Sequence, residues 1–165
     1  MEKLTLFSTN MDNLTEQEQK QLMALVNKGK KPLKKRWKAG VNGRYFFVSG
    51  IGEIAYLIEE NSSFDKKAYE LGNYFVTKEE AEFEVNKRLV LQQLKDYALS
   101  HNRAELDWNN LQQPKYFIVK TATGLVCERI YSKEYSEQVY FSSVEILNNA
   151  IKAIGREKII KYLFN

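Results

Sequence analysis

Length, composition and charge narrow the classes open to this chain. Its 165 residues, 44% of them hydrophobic, suit one compact domain or two small modules with a shared core, and no apolar run approaches the roughly 18 residues of a membrane span. The single cysteine, Cys127, excludes an intramolecular disulfide and predicts a reducing, cytoplasmic setting, in which we expect it to be a small buried hydrophobe.

The net charge of +4 comes from one strip of the sequence. Between positions 28 and 38 there are seven basic residues and no acid; without them, 18 basic residues face 21 acidic ones, a net of −3. Together with an indole that can stack on a base, this basic strip is the candidate contact site for nucleic acid or a partner. Its residues are Lys28, Lys30, Lys31, Lys34, Lys35, Arg36, Trp37 and Lys38.

An N-terminal helical segment is predicted for residues 1–30. Thr15 and Glu18 have the spacing of a capping box, which predicts a helix from about Glu16 to Lys28 with Gly29 at its end. Its apolar stripe is short, so we expect this helix to dock on the core or on a partner.

A first β-β-β-α module is predicted for residues 31–102. The hydrophobic period changes to two over 44–49 and again over 54–58, which predicts two strands joined by a glycine turn. Residues 60–67 are predicted to be a polar loop, and 68–76 to hold a third short strand. The alternation places Phe46 on the face opposite Tyr45 and Phe47, so at least one of these faces is core.

A long amphipathic helix is predicted to follow the third strand and to serve as the spine of the fold. Thr77 and Glu80 form a second capping-box pattern, and Ser100-His101-Asn102 is a polar stop. The apolar face is predicted to consist of Ala81, Val85, Leu89, Val90, Leu94, Tyr97 and Ala98.

Residues 103–165 repeat this order. Strands are predicted at 115–120 and 125–131, followed by a polar loop, a third strand at 139–141, and two helices separated by Gly155. Aligning Tyr116-Phe117 with Tyr45-Phe46 gives an offset of 71 positions. We therefore expect an α+β fold: a degenerate tandem duplication of a β-β-β-α unit, with antiparallel sheets packed on a long central helix and an N-terminal helix before them.

The sequence offers little catalytic chemistry. His101 is the only histidine and falls at the end of the central helix, where a cation is favoured by the dipole. The pairs Glu59-Glu60 and Glu79-Glu80 are predicted to face solvent, and no phosphate-binding glycine motif occurs. We expect a non-enzyme with no cofactor and no metal.

Several stretches together resemble small accessory proteins of phages and prophages of Gram-positive bacteria. They are the Lys-Arg-Trp-Lys end of the basic strip, the aromatic run 45–47, the stretch from Gly72 to Ala81, and the terminal segments 139–143 and 161–164. The resemblance implies a phage protein in the cytoplasm of a host cell that serves phage regulation or counters host defence. Inhibitors of CRISPR effectors belong to this group.

Two functions follow as hypotheses. The first is a non-catalytic protein that binds and inhibits a host-defence complex, with a host protein or ribonucleoprotein effector as its partner. The alternative is a regulator that binds DNA or RNA directly through the basic strip. The strip is equally compatible with a solvated linker in which Trp37 anchors the first core. The sequence leaves the oligomeric state open, although exposed sheet edges would permit a dimer.

Overall fold

A computed structural model of the chain describes residues 14–29 and 36–164, with the backbone alone for 26–29. The fold is α+β, as predicted, and these residues form two small antiparallel sheets. The chain divides after Trp37 into two compact units, 1–37 and 38–165. Among the described residues, none of the helices has the length and apolarity needed to cross a bilayer. The predicted boundaries at 30 and 102 stay predictions.

In the first unit, helix α1 (Glu16–Gly29) begins as predicted and ends one residue beyond the predicted Lys28. The Thr15 N–H donates to Glu18 Oε2 at 2.8 Å, and the Glu18 N–H donates back to Thr15 Oγ1 at 3.4 Å. This reciprocal cap satisfies two N–H groups that a helix start leaves without partners. Hydrogen bonds from Thr15 lower the pKa of Glu18, so the cap holds a carboxylate.

The second unit begins with a β-hairpin. Strand β1 (Arg44–Val48) pairs antiparallel with β2 (Ile54–Ile58), so that Tyr45 lies opposite Leu57 and Phe46 opposite Tyr56. Directly opposite residues share a face of the sheet. Tyr45 is fully buried and Phe47 packs beside the same cluster, which confirms the predicted alternation.

The predicted polar loop at 60–67 is wrong, because most of it forms helix α2 (Ser63–Glu70). The Ser62 hydroxyl accepts from the Asp65 N–H at 3.2 Å, and Asp65 Oδ2 accepts from the Ser62 N–H at 2.9 Å. This capping box starts the helix inside the stretch that composition alone marks as a loop. The helix also replaces the first part of the predicted third strand.

What remains of that third strand is one bridge. The backbone N–H and C=O of Phe46 pair with those of Phe75 at 2.9 and 2.8 Å. Two residues further along β1, the side-chain amide of Asn73 donates to the Val48 carbonyl and accepts from the Val48 N–H, each at 2.8 Å. The asparagine side chain thus supplies the pairing that a longer strand would give.

Helix α3 (Lys78–His101) is the predicted spine. Thr77 caps it by accepting from the Glu80 N–H at 3.2 Å, whereas the Glu80 carboxylate accepts from Val76 N–H and not from Thr77. The prediction is wrong for Leu89, whose side chain is 52% exposed. The buried positions on the helix are Ala81, Val90, Leu94 and Ala98.

The second module repeats the arrangement with tighter connections. Strands β3 (Lys115–Thr121) and β4 (Gly124–Ile130) pair antiparallel, and a Tyr116–Phe141 bridge stands for the third strand. Helices α4 (Val144–Ile154) and α5 (Arg156–Leu163) follow. Gly155 between them has φ of 101°, a left-handed conformation that favours glycine.

The two bridges give the structural alignment of the copies. Phe46 and Phe75 in the first module correspond to Tyr116 and Phe141 in the second, and each bridge is followed two residues later by the helix cap. The hairpins are therefore offset by one residue from the sequence match of Tyr45 with Tyr116. A shift of one residue in a strand moves a side chain to the opposite face, so aromatic identity misled the alignment.

The copies differ in how much core they form. The larger cluster joins the second half of α3 to β3, β4, α4 and α5, whereas the smaller one consists of Ala39, Tyr45, Ala68 and Tyr74 with Phe47 and Tyr69 beside it. The central helix therefore contributes most of its buried surface to the second module.

Candidate interaction surface

The structure describes only the C-terminal end of the basic strip. The side chain of Lys28 and all of Lys30, Lys31, Lys34 and Lys35 lie outside the described residues. Arg36 and Trp37 end the first unit, and both side chains are exposed. As a contact site for nucleic acid or a partner, the strip stays a prediction.

The last residue of the strip, Lys38, is engaged within the second unit. Its Nζ lies 3.3 Å from Glu59 Oε1 and 3.3 Å from Asn61 Oδ1. Glu59 is fully buried, which corrects the expectation that it faces solvent. A buried carboxylate needs such partners because desolvation penalises an unpaired charge. The charge of Lys38 is therefore already paired with the buried Glu59 carboxylate and is less available to a phosphate group.

Glu59 belongs to a buried network of two tyrosines and two carboxylates. The Tyr74 hydroxyl donates to Glu59 Oε2 at 2.7 Å, and the Tyr45 hydroxyl donates to Asp65 Oδ1 at 2.7 Å. The two rings stack with centroids 3.8 Å apart. The stacked pair thus joins strand β1, which carries Tyr45, to Tyr74 beside the Phe75 bridge and to the start of α2.

Burial and hydrogen bonding oppose each other at these carboxylates. Burial alone would raise the pKa of Asp65, but bonds from Tyr45, Ser62 and the Glu60 N–H outweigh it and hold the pKa at about 2. The pKa of Glu59 is likewise lowered, because hydrogen bonds from Tyr74, the Asn61 N–H and Lys38 outweigh the effect of burial. Burial, followed by the hydrogen bonds to the two carboxylates, raises the pKa of each tyrosine far above its ordinary value. The network is therefore ionised carboxylate with neutral phenol at neutral pH.

This network holds the fold together and offers no reactive group to solvent. Both phenols already donate to carboxylates, and Tyr74 also accepts from the Ala39 N–H at 3.2 Å. Among the described residues, every buried side-chain nitrogen and oxygen has a hydrogen-bond partner. The arrangement fixes the loop before β1 and the end of β2 against α2.

The second module has a different buried polar centre. Lys115 is fully buried, and its ammonium donates to the carbonyls of Asp107, Asn110 and Tyr131, the last at 2.9 Å. It also lies 5.2 Å from the centre of the Trp108 ring. Three carbonyls satisfy all three ammonium protons, so this lysine binds the 107–110 loop to the sheet.

Apolar exposure is concentrated in the first module. Large hydrophobic side chains that are exposed between Lys38 and Thr77 are Val41, Ile51, Tyr56, Leu57, Ile58, Phe64, Leu71 and Val76, against Leu111, Tyr135 and Val144 after residue 102. The small core of the first module, with only four buried members, explains the difference. Exposed apolar surface of this kind is typical of protein interfaces.

One part of this surface lies on the α2 side of the hairpin. Phe64 is 51% exposed and makes an edge contact with Phe47, with ring centroids 5.5 Å apart. Leu57 lies on the same face of the sheet and is 37% exposed. We call Phe47, Leu57 and Phe64 the α2-side patch. Sequence patterns did not reveal this patch because Phe64 falls in the predicted loop, although Ser62 and Asp65 have the spacing of a capping box.

The remaining candidates have structural positions. His101 Nδ1 lies 2.9 Å from the Tyr97 carbonyl, and its ring stacks on Tyr97 at the end of α3, consistent with the expected capping role. Cys127 is half-buried against the larger core, where burial raises the pKa of its thiol. Within residues 14–29 and 36–164, no three His, Cys, Asp or Glu side chains are grouped to hold a metal ion.

Comparison of the chain with protein-family models, with curated proteins and with solved structures finds no match.

Proposed function

We propose that this chain is a non-catalytic interaction protein of phage type that binds and inhibits a host-defence complex, and that the α2-side patch is part of its binding surface. The partner is a host protein or ribonucleoprotein effector, such as a nucleic-acid-guided nuclease. The observation that carries the proposal is the exposed Phe64–Phe47 contact beside Leu57 in a module whose own core is small.

The chemistry of the patch favours a protein over a nucleic acid. Its three side chains are uncharged, and an apolar centre with a polar rim is typical of protein interfaces. Nearby acids Asp65 and Glu59 are held ionised inside the module and contribute no net attraction for phosphate. The assignment to host defence rests on the resemblance to phage accessory proteins.

The alternative, a DNA- or RNA-binding regulator, rests on the basic strip. Seven cations within 11 positions remain an unusual concentration of charge, even though Lys38 is paired with Glu59. Direct phosphate binding by about five of them predicts a log–log salt slope of roughly −4 for duplex DNA. Binding through the α2-side patch predicts a shallow slope, since apolar contacts are not screened by salt.

The test begins with affinity capture of the tagged full chain from a Gram-positive bacterial lysate, with and without nuclease treatment. A nuclease effector that survives the treatment is then assayed for cleavage of its target with the purified chain added. We expect inhibition by the natural chain and a loss of at least about tenfold with Phe64→Asp, because a charge would be buried in the interface.

Leu111→Asp is the matched control, since Leu111 is also apolar and exposed but lies in the second module. It should inhibit like the natural chain. Recovery of nucleic acid alone, with all proteins lost after nuclease treatment and binding abolished by neutralising Lys34, Lys35 and Arg36, would overturn the inhibitor proposal in favour of the alternative.

A further inference from the structure

Within the part of the chain that the structure describes, strand β2 is the free edge of the first sheet. The Glu59 N–H donates to the Gly43 carbonyl and the Ser49 N–H to the Glu53 carbonyl, at 2.8 and 2.7 Å. In an antiparallel pair, alternate residues bond to the neighbouring strand. The odd residues of β2 therefore bond to β1, and the backbone groups of Ile54, Tyr56 and Ile58 point away from the sheet.

This edge lacks the protection that the equivalent strand has. In the second module, β4 carries the charges of Glu128 and Arg129, and the Arg156 guanidinium donates to the Leu125 carbonyl at 3.4 Å. Strand β2 is Ile-Ala-Tyr-Leu-Ile, without a charge, a proline or a bulge. No described residue forms a hydrogen bond with the outward N–H and C=O groups of β2. Natural proteins seldom leave such an edge without a partner.

We propose that the partner of this edge is a second copy of the chain, with β2 pairing antiparallel to β2 of the other copy about a two-fold axis at Tyr56. This register places Tyr56 opposite its own counterpart and Ile54 opposite Ile58 of the other copy. All three outward N–H groups and all three outward carbonyls of each copy then pair at once. The product is a four-stranded antiparallel sheet.

The side chains on one face support the same register. Tyr56 lies opposite Phe46, and Phe46 lies opposite Phe75, so an aromatic row already crosses the first sheet. Pairing two copies at Tyr56 makes this row continuous through the dimer, and cross-strand aromatic pairs stabilise sheets. Phe141, which corresponds to Phe75 in the second module, is fully buried, whereas Phe75 is only partly buried.

Charge does not oppose self-association at this edge. The strand itself is neutral, and Glu59 just beyond it is already paired with Lys38. The Arg44 guanidinium lies 4.4 Å from the centre of the Tyr56 ring, where a cation is attracted to the aromatic face. The side chains of the α2-side patch lie on the opposite face of the sheet, and the dimer does not depend on the proposed function.

The test is sedimentation velocity of the full chain over a concentration series, joined to amide hydrogen exchange. We expect a monomer–dimer equilibrium with a dissociation constant on the order of 10–100 µM, because one strand pair buries less area than a standard interface. The N–H groups of Tyr56 and Ile58 should become protected as concentration rises. The inward N–H of Leu57 serves as an internal reference, since it is paired in the monomer.

Tyr56→Glu separates the dimer from the fold. Within one copy the new carboxylate can pair with Arg44, whereas in the dimer two carboxylates would meet on the axis and repel. We expect at least tenfold weaker association with an unchanged unfolding midpoint. Leu89→Glu is the control, because Leu89 is an exposed apolar residue on α3, and its association should be unchanged.

Three results would overturn self-pairing. The first is a chain that stays monomeric at about 1 mM, well above the expected dissociation constant. The second is a dimer that tolerates Tyr56→Glu. The third is protection of the Tyr56 N–H only when a different protein is added, which would assign the edge to strand addition by that partner.

Discussion

The Tyr45–Asp65 bond shows how single residues connect local and long-range structure. The Asp65 carboxylate accepts a hydrogen bond from the Ser62 N–H at the start of α2. The same carboxylate accepts a second hydrogen bond from the Tyr45 hydroxyl on β1. Its pKa of about 2 in the folded chain lies below the ordinary value of 3.8. Because the folded pKa is depressed, the stabilisation is fully present above about pH 4 and is lost as the pH falls towards 2.

Asp65→Asn should therefore flatten the acid limb of the stability curve. We expect the free energy of unfolding to fall less between pH 5 and pH 2 than in the natural chain, because the titrating group is gone. At pH 7 the same variant should lose about 1–3 kcal/mol, since a hydrogen-bond acceptor is replaced by a donor. The measurement is urea unfolding at several pH values.

The exposed Asp96 gives the matched control, and Asp96→Asn should keep the natural acid limb. Tyr45→Phe should act in the same direction as Asp65→Asn, because it removes one of the bonds that lower the carboxyl pKa. An acid limb that is equally steep in all four proteins would rule out this network as its source.

At the level of elements, two asparagine side chains pair with backbone groups close to the two isolated bridges. Asn73 pairs with both backbone groups of Val48, and Asn102 donates to the Tyr140 carbonyl while accepting from the Ser142 N–H at 2.8 Å. A primary amide offers the same donor and acceptor as a peptide group. In the first module the asparagine lengthens the pairing of the Phe75 segment with β1, whereas in the second it pairs with the outer side of the Phe141 segment, away from β3.

Asn73→Asp and Asn102→Asp should each destabilise the chain by about 1–3 kcal/mol. The change keeps the size of the side chain but turns its donor into a charged acceptor that faces a carbonyl oxygen. Asn149→Asp, on the exposed side of α4, is the control and should change the free energy of unfolding by less than about 0.5 kcal/mol. Losses no larger than that of the control would show that water replaces these bonds without cost.

Across the whole molecule, the two modules share a helix but not the same amount of core. The larger cluster contains Leu147 and Phe141, which have no exposed surface. The first module is instead held by the stacked tyrosines and their carboxylate partners. Segments with fewer buried apolar contacts open at lower free energy. We therefore expect the module that carries the proposed interaction surfaces to open at lower free energy than the second module.

Native-state hydrogen exchange should show this difference. We expect paired amides of β1 and β2 to exchange at least about tenfold faster than those of β3, in dilute monomer. Leu147→Ala should cost about 2–5 kcal/mol and reduce protection in β3 and α4 first, because it opens a cavity in the larger cluster. Equal protection of the two hairpins would mean that they open as one cooperative unit.

The sequence by itself determined the features that depend on neighbours along the chain. Thr15, Thr77 and the Gly155 break set helix limits through backbone groups a few residues away, and period-two alternation set both hairpins. The repeated order of elements was visible for the same reason. Of the candidate site, the sequence supplied the basic strip and the aromatic run 45–47, and the strip stays a prediction.

Only the tertiary structure decided which side chains are buried and which edges are free. Glu59 looks like a surface acid until Lys38 and Tyr74 reach it from 21 and 15 positions away. The one-residue register between the modules depends on bridges from Phe75 and Phe141, which local alternation does not encode. Among the described residues, the open edge of β2 likewise follows from what lies beside it, because an edge strand and a central strand obey the same local pattern.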